Sequence, residues 1–129
     1  MEWKYIEKLE DKNSISKIEK EYKIELPKLL KQLIIQYNGG KPVENVFVTE
    51  KNKEKLIQTL ISYNKKDKVN IYVYNNFFEY GYIPFAIAEF GDIICINVKN
   101  GNVVLYNHEL DEFERVCESI DVFFKSLYE

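Results

Sequence analysis

The chain of 129 residues contains one histidine, one arginine and two cysteines, and these small numbers exclude several kinds of site. A structural zinc site needs about four Cys or His ligands, whereas Cys95 and Cys117 are far apart and belong to no C-x-x-C motif. Each cysteine lies beside apolar residues, so we expect two reduced thiols that pack as small hydrophobic side chains. The sequence therefore predicts no metal site.

Long apolar segments are missing as well. No apolar run approaches the roughly 20 residues that a membrane helix requires. The N-terminal residues are charged from Glu2 onward and contain no apolar signal core. We therefore expect a cytoplasmic protein without a membrane partner.

Motifs of catalysis and cofactor binding are absent too. There is no G-x-S-x-G motif, phosphate-binding loop or dinucleotide fingerprint. His108 would need a nucleophile and an orienting partner to act as a base, and we interpret it as a structural or hydrogen-bonding residue. The acidic run around Asp111 lacks the alternating Asp/Asn pattern and central glycine of a calcium loop. We expect no enzymatic activity, no catalytic residue and no cofactor.

The chain does contain enough apolar material for a core, since 46% of its residues are hydrophobic, 15% aromatic and 30% charged. No repeat, linker or low-complexity tract interrupts it. We therefore expect residues 1–129 to form one domain.

Helical spacing of apolar residues predicts three helices. The first covers residues 15–22 and the second covers 27–37. The second helix should end at Asn38-Gly39-Gly40, because a glycine just past a helix adopts the left-handed conformation without strain. The third helix is expected at 121–127, at the end of the chain.

Strands are predicted mainly in the C-terminal half. Two apolar segments, 93–98 and 103–106, flank Lys99-Asn100-Gly101-Asn102, which carries the Asn-Gly signal of a tight hairpin. A further short strand is expected at 113–117, and a strand or extended loop at 43–49.

Three other segments carry mixed signals. Residues 56–63 fit both a helix and a strand, and we favour the strand. Residues 67–78 are interpreted as a short helix, although 71–74 has high β propensity. Residues 83–86 are expected to enter an irregular segment, and a turn should follow at Phe90-Gly91-Asp92.

Charge is unevenly distributed along the chain. Residues 1–78 carry a net charge of +4 and residues 79–129 a net charge of −7, which gives −3 for the whole chain. An acidic chain is a poor binder of nucleic acid, which needs clustered lysine and arginine. The acidic half offers carboxylates to a basic partner, although scattered acids that only keep the domain soluble explain the same count.

Aromatic residues are concentrated between Tyr72 and Tyr82. Phe77 and Phe78 are interpreted as core residues. Tyr80 and Tyr82 flank Gly81 near the acidic half, where tyrosines offer contact area and cation–π interactions to a partner.

Several short motifs follow one another along the chain, and their residues are Trp3, Leu26, Pro27, Asn38, Gly39, Gly40, Pro84, Phe85, Gly91, Asp92, His108 and Glu109. Taken in this order, they resemble the SUKH superfamily. This superfamily contains bacterial immunity proteins and is related to the fungal cell-wall assembly regulator. The segments 49–51 and 60–65 are similar to a subgroup of low-G/C Gram-positive bacteria. The chain departs from the common pattern at Ala88-Glu89, where relatives have Asp-Pro, and at Tyr106-Asn107, where they have Trp-Asp.

The resemblance implies an α+β domain in which helices pack on a mixed, mainly antiparallel sheet. It also implies a non-enzymatic protein that binds and neutralises a cognate toxin of bacterial competition, often a basic nuclease domain. Combined with the charge and aromatic patterns, it makes these residues candidates for toxin contact: Tyr80, Tyr82, Glu89, Asp92, Glu109, Asp111, Glu112 and Glu114.

Two other functions remain open at this point. One is a scaffold or regulatory interaction module, as in the fungal relatives. The other is a small enzyme that uses His108 with a carboxylate, which no motif supports. The sequence also leaves open whether the protein is a monomer or a weak dimer.

Overall fold

An antiparallel six-stranded sheet forms the centre of the protein. The structure is a computed structural model that describes residues 1–129. In chain order the elements are β1 (Trp3–Lys4), α1 (Ser14–Tyr22), α2 (Lys28–Tyr37), β2 (Lys41–Pro42), β3 (Val46–Val48), β4 (Glu54–Leu60), α3 (Asn76–Glu79), β5 (Tyr82–Ala88), β6 (Ile93–Asn97), β7 (Val103–Asn107), β8 (Glu112–Cys117) and α4 (Ile120–Lys125). Strands β3 to β8 are neighbours in the order in which they follow along the chain. Thirty-one buried hydrophobic residues form one core with this sheet, and the predicted α+β class is confirmed.

The two central strands, β5 and β6, are buried along almost their whole length. The prediction of an irregular segment at 83–86 is therefore wrong, because these residues form the middle of β5. Proline is rare in central strands, since it cannot donate a ladder hydrogen bond. The strand accommodates Pro84 through a shift of register between Pro84 and Ala86, opposite Cys95 and Ile94 of β6.

The three helices predicted from apolar spacing are confirmed, with small shifts in their ends. Helix α2 ends at Tyr37, and Gly39 has the predicted positive φ, 67°. The amide of Gly40 then donates to the carbonyl of Tyr37 over 2.8 Å, so a tight turn closes the helix. Helix α4 begins one residue earlier than predicted, because the Ser119 hydroxyl accepts from the amide of Val122 and caps it. None of the helices combines the length and hydropathy needed to cross a bilayer.

Residues 67–78 do not form the predicted short helix, which is limited to α3 at Asn76–Glu79. The side chain of Asn70 explains the difference. Its amide oxygen accepts from the backbone amides of Tyr72 and Val73, over 3.0 and 3.3 Å. Such local side-chain bonds give the backbone an alternative to helix and turn the chain. Within this segment Ile71 is fully buried and Asn70 forms an isolated parallel bridge with Ser62.

Residues 56–60 of the segment 56–63 lie in β4, which confirms the strand favoured for them, whereas residues 61–63 follow the end of this strand at Leu60. Strand β3 occupies three residues of the predicted 43–49 segment. The predicted hairpin at 99–102 joins β6 to β7, and β8 contains the predicted strand at 113–117. Strands β1 and β2 were not predicted, because two-residue strands leave no pattern of alternation.

The sheet is curled, so that its two ends approach each other. The amide of Glu50, in the turn after β3, donates to the carbonyl of Arg115 in β8 over 3.1 Å. The neighbouring amide of Lys51 donates to the Glu114 carboxylate over 3.3 Å. These bonds occupy part of the edge of β8, which would otherwise be open for pairing.

Candidate protein-binding pocket

A pocket of about 870 Å³ lies between α3, the start of β5 and the turn that joins β7 to β8. Its lining is mostly aromatic. The aromatic residues are Tyr74, Phe77, Tyr80, Tyr82, Tyr106 and Phe113, and Asn76, Gly91, Ile93, His108 and Asp111 complete it. It brings together residues that lie up to 39 positions apart, between Tyr74 and Phe113.

The aromatic wall is a chain of ring contacts. Phe77 meets Tyr106 edge to face, with ring centroids 5.3 Å apart. Tyr106 is paired with Phe113 across β7 and β8, with centroids 5.0 Å apart, and Phe113 is stacked on Tyr82 at 4.1 Å. Each such pair contributes about 0.5–1.5 kcal/mol beyond area burial, so the wall is held in place before any partner arrives.

Helix α3 contributes Phe77 to the aromatic wall and packs against α1 on its other side. Phe77 and Phe78 are both buried, as predicted, and the Phe78 ring is stacked on Tyr22 of α1 with centroids 4.4 Å apart. This short helix therefore connects the pocket to the helical layer. It also places Tyr80, its next residue, at the rim of the pocket.

Large apolar side chains around the pocket are exposed to solvent. Tyr80 is 74% exposed, Phe90 77% and Leu110 64%. Phe90 directly precedes Gly91, and Leu110 directly precedes Asp111, and both Gly91 and Asp111 line the pocket. Exposed apolar side chains that surround a concave site are typical of protein interaction surfaces.

The backbone on this side of the molecule is also strained. Phe90 has a φ of 63°, in the left-handed region that bulky side chains rarely adopt, whereas Asp111, with a φ of 52°, belongs to a residue type that tolerates this region. Holding a bulky residue there costs on the order of 1–3 kcal/mol. Phe90 gains little packing in return, because its ring is exposed. Positive φ is not confined to this face, since Tyr5, Lys23 and Asn52 adopt it elsewhere in the chain.

His108 is fixed at the pocket by Asp92. The Asp92 carboxylate accepts from the His108 Nδ1–H over 2.8 Å and from the His108 amide over 3.3 Å. With Nδ1 protonated, Nε2 is left as the ring nitrogen for other contacts. A Cβ on Gly91 would lie 3.6 Å from His108 Cε1, so the ring rests close above the glycine backbone. His108 is thus hydrogen-bonded within the fold, and its interpretation as a structural rather than a catalytic residue stays a prediction.

Asp111 is tied to the aromatic wall. Its Oδ1 accepts a hydrogen bond from the Tyr106 hydroxyl over 2.7 Å. This hydrogen bond raises the pKa of Tyr106, because ionising the phenol would remove its proton from the carboxylate. Tyr106 therefore stays a neutral donor, and it orients Asp111 at the pocket.

The other predicted contact residues lie in different settings. Tyr80, Tyr82 and Asp111 line the pocket, and Glu109 and Glu112 are exposed next to lining residues. Glu89 is half-buried in a short 3-10 turn at Glu89–Gly91. The remaining two are occupied within the protein: Asp92 is buried against His108, and Glu114 accepts from Lys51.

Sequence reasoning missed part of this face. Tyr74, Phe90, Tyr106, Leu110 and Phe113 were not named as candidates, although all lie at the pocket or beside it. Tyr106 and Phe113 become neighbours only through the β7–β8 register, and the sequence alone does not set that register.

Most residues of the family motif outside the pocket build the scaffold. Trp3 is stacked on Tyr37 with ring centroids 4.8 Å apart. The buried Asn38 side chain donates to the Glu7 carbonyl and the Ser62 hydroxyl, and it accepts from the Tyr63 amide. The others in this group are Leu26, Pro27, Gly39, Gly40, Pro84 and Phe85, at helix ends or in the core.

The two thiols are free, and burial raises the pKa of both Cys95 and Cys117. A raised pKa keeps a thiol protonated and unreactive.

No three His, Cys, Asp or Glu side chains are grouped so that they could hold a metal ion. What the pocket offers chemically is stacking, apolar contact and hydrogen bonding.

Comparison with known proteins agrees with the fold and the motifs. Residues 10–126 match the SMI1/KNR4 family (SUKH-1), a range that runs from the segment before α1 to the end of α4. No curated protein and no solved structure gave a match. The match confirms the resemblance to the SUKH superfamily, while the Gram-positive subgroup stays a prediction. Because the match covers most of its length, the chain belongs to the SMI1/KNR4 (SUKH-1) family.

Proposed function

We propose that this protein is an immunity protein that binds and neutralises a cognate toxin through the face around the aromatic pocket. The observation that carries the proposal is the exposure of Tyr80, Phe90 and Leu110 around a rigid aromatic wall, in a member of the SUKH-1 family. Family members are generally non-enzymatic immunity or regulatory proteins, and the face has the composition of a binding surface. The binding takes place in the cytoplasm, where the toxin would act.

Charge supports a basic toxin. Between positions 79 and 113 the chain has one base, Lys99, and five acids besides the buried Asp92. A nuclease needs a positive groove to hold phosphates, and an acidic inhibitor placed over that groove blocks the substrate and is steered towards it. We therefore propose a nuclease domain as the toxin, bound over an interface of about 1,600 Å² in total.

The proposal is tested by co-expression with the toxin encoded by the neighbouring gene. The wild-type protein should restore growth and should co-purify with the toxin. The triple variant Glu109→Lys, Asp111→Lys and Glu112→Lys should protect less, because it reverses the charge that faces the toxin. Its association rate should fall by about tenfold and depend less on salt.

A second triple variant separates local from overall charge. Glu2→Lys, Glu25→Lys and Asp121→Lys change three exposed acids outside this face and alter the net charge by the same amount. They should leave protection and association nearly unchanged. An equal loss of protection and association rate in both variants would show that only net charge matters, and the proposed binding face would then be wrong. A complex that forms without relief of toxicity would instead favour a scaffold role.

A further inference from the structure

The pocket combines an aromatic wall with one acidic lining side chain. Asp111 is its only carboxylate, and no lysine or arginine lines it. Asp111 Oδ1 is occupied by the Tyr106 hydroxyl, and Oδ2 forms no hydrogen bond within the protein. The pocket therefore presents a free carboxylate oxygen beside several aromatic rings.

The surroundings of the pocket add to its negative potential. In the chain, Glu79 precedes the rim residue Tyr80 and Glu109 follows the lining residue His108, and both carboxylates are exposed. A cation that enters the pocket is thus attracted first by the rim and then by Asp111.

We propose, on the basis of the toxin-binding function above, that the pocket receives one arginine side chain of the toxin. Its guanidinium would stack on the exposed rings of Tyr80, at the rim, and Phe113, in the aromatic wall, and donate to Asp111 Oδ2. A guanidinium is planar, is less strongly hydrated than an ammonium, and donates from a rigid fork, so it suits this combination better than lysine. An apolar anchor would cover Asp111 without giving it a partner, which is unfavourable.

The assignment can be tested without the toxin, by NMR titration of the wild-type protein with N-acetyl-arginine methylamide at low ionic strength. We expect saturable shifts of the Gly91, His108 and Asp111 amide signals, with a dissociation constant on the order of millimolar. The neutral isostere N-acetyl-citrulline methylamide should bind about tenfold more weakly, because it lacks the charge.

Two variants identify the carboxylate. Asp111→Asn keeps an oxygen for the Tyr106 hydroxyl but removes the charge, and it should weaken arginine binding by about tenfold. Glu25→Gln removes an exposed carboxylate elsewhere and should leave binding unchanged.

Three results would overturn the assignment: no saturable shift with the arginine amide, equal binding of the citrulline amide, or tighter binding of N-acetyl-phenylalanine methylamide. The last result would show that the pocket takes an apolar anchor. None of them would affect the rescue of growth by co-expression, so a failed pocket assignment is distinguishable from a failed immunity function.

Discussion

Asp92 holds His108 by two hydrogen bonds, one to the ring Nδ1–H and one to the backbone amide. The Asp92 side chain is 9% exposed, whereas the His108 side chain is 45% exposed. Sequence reasoning grouped Asp92 with the toxin contacts. In our proposal it acts through His108, which it positions beside Gly91. Gly91 and His108 line the pocket, whereas Asp92 does not.

Replacement of Asp92 should therefore reduce stability. Asp92→Ala leaves the His108 amide and Nδ1–H without their acceptor, and we expect the free energy of unfolding to fall by about 1–3 kcal/mol. His108→Ala removes the exposed partner and should cost less than about 1 kcal/mol. Urea denaturation followed by circular dichroism measures both. An equal loss for the two variants would contradict a supporting role for Asp92.

Gly39 should tolerate no side chain. Its φ is 67°, and a Cβ would lie 3.1 Å from the Glu7 Cβ. Gly39→Ala should therefore lower the free energy of unfolding by about 1–3 kcal/mol. Gly101 is the matched control, because it has a φ of 80° but no atom within 4 Å of an added Cβ. Gly101→Ala should cost less in the same denaturation experiment, and an equal cost would show that φ alone matters.

At position 63 the protein should be at least as stable with phenylalanine as with the native tyrosine. Its hydroxyl is the one buried side-chain polar atom without a hydrogen-bond partner. Burial raises the Tyr63 pKa, so the folded state keeps the phenol neutral while the unfolded state ionises near pH 10. Tyr63→Phe should be neutral or stabilising by about 1 kcal/mol at pH 7.

The advantage of Tyr63→Phe over the wild type should also grow as the pH rises above about 10, because only the wild type then loses stability by ionising Tyr63 in the unfolded state. Denaturation midpoints at neutral and alkaline pH measure it. A destabilised variant would mean that the hydroxyl has a stabilising contact, for example with a buried water.

Replacement of Phe90 by asparagine should stabilise the protein and at the same time weaken toxin binding. Asparagine adopts positive φ more readily than phenylalanine, and the ring of Phe90 is exposed. Phe90→Asn should thus raise the free energy of unfolding by about 0.5–1 kcal/mol and weaken toxin binding. Thermal unfolding and calorimetric titration measure the two effects. A variant that is less stable would show that the ring supports the fold.

The fold was largely predictable because its signals are local. The helical spacing before Asn38, the glycine at position 39 and the Asn-Gly turn at 100–101 each act within a few residues. The errors arose where distant partners decide the structure. Pro84 suggested an irregular segment, yet β5 is covered on both faces and places the proline at a bulge.

The candidate site was predictable only in part for the same reason. Tyr80, Tyr82 and Asp111 were identified from local composition, and all three line the pocket. Phe113 was missed because its contact with Tyr82 joins two strands that are not neighbours in the sheet. Such a contact follows from the curl of the sheet and leaves no signal in the spacing of residues.

The most direct test of the binding face compares two exposed tyrosines. Tyr80 at the pocket rim is 74% exposed and Tyr5 near the N-terminus is 77% exposed. The two tyrosines therefore differ in their location on the surface but have nearly the same exposed fraction. The measurement is the dissociation constant of the toxin encoded by the neighbouring gene for each alanine variant. Tyr80→Ala should weaken binding by about 30-fold or more, as expected for a central aromatic contact, and Tyr5→Ala should change it by less than about twofold. Unchanged affinity for Tyr80→Ala, or a larger loss for Tyr5→Ala, would contradict the proposal that the toxin binds at the aromatic pocket.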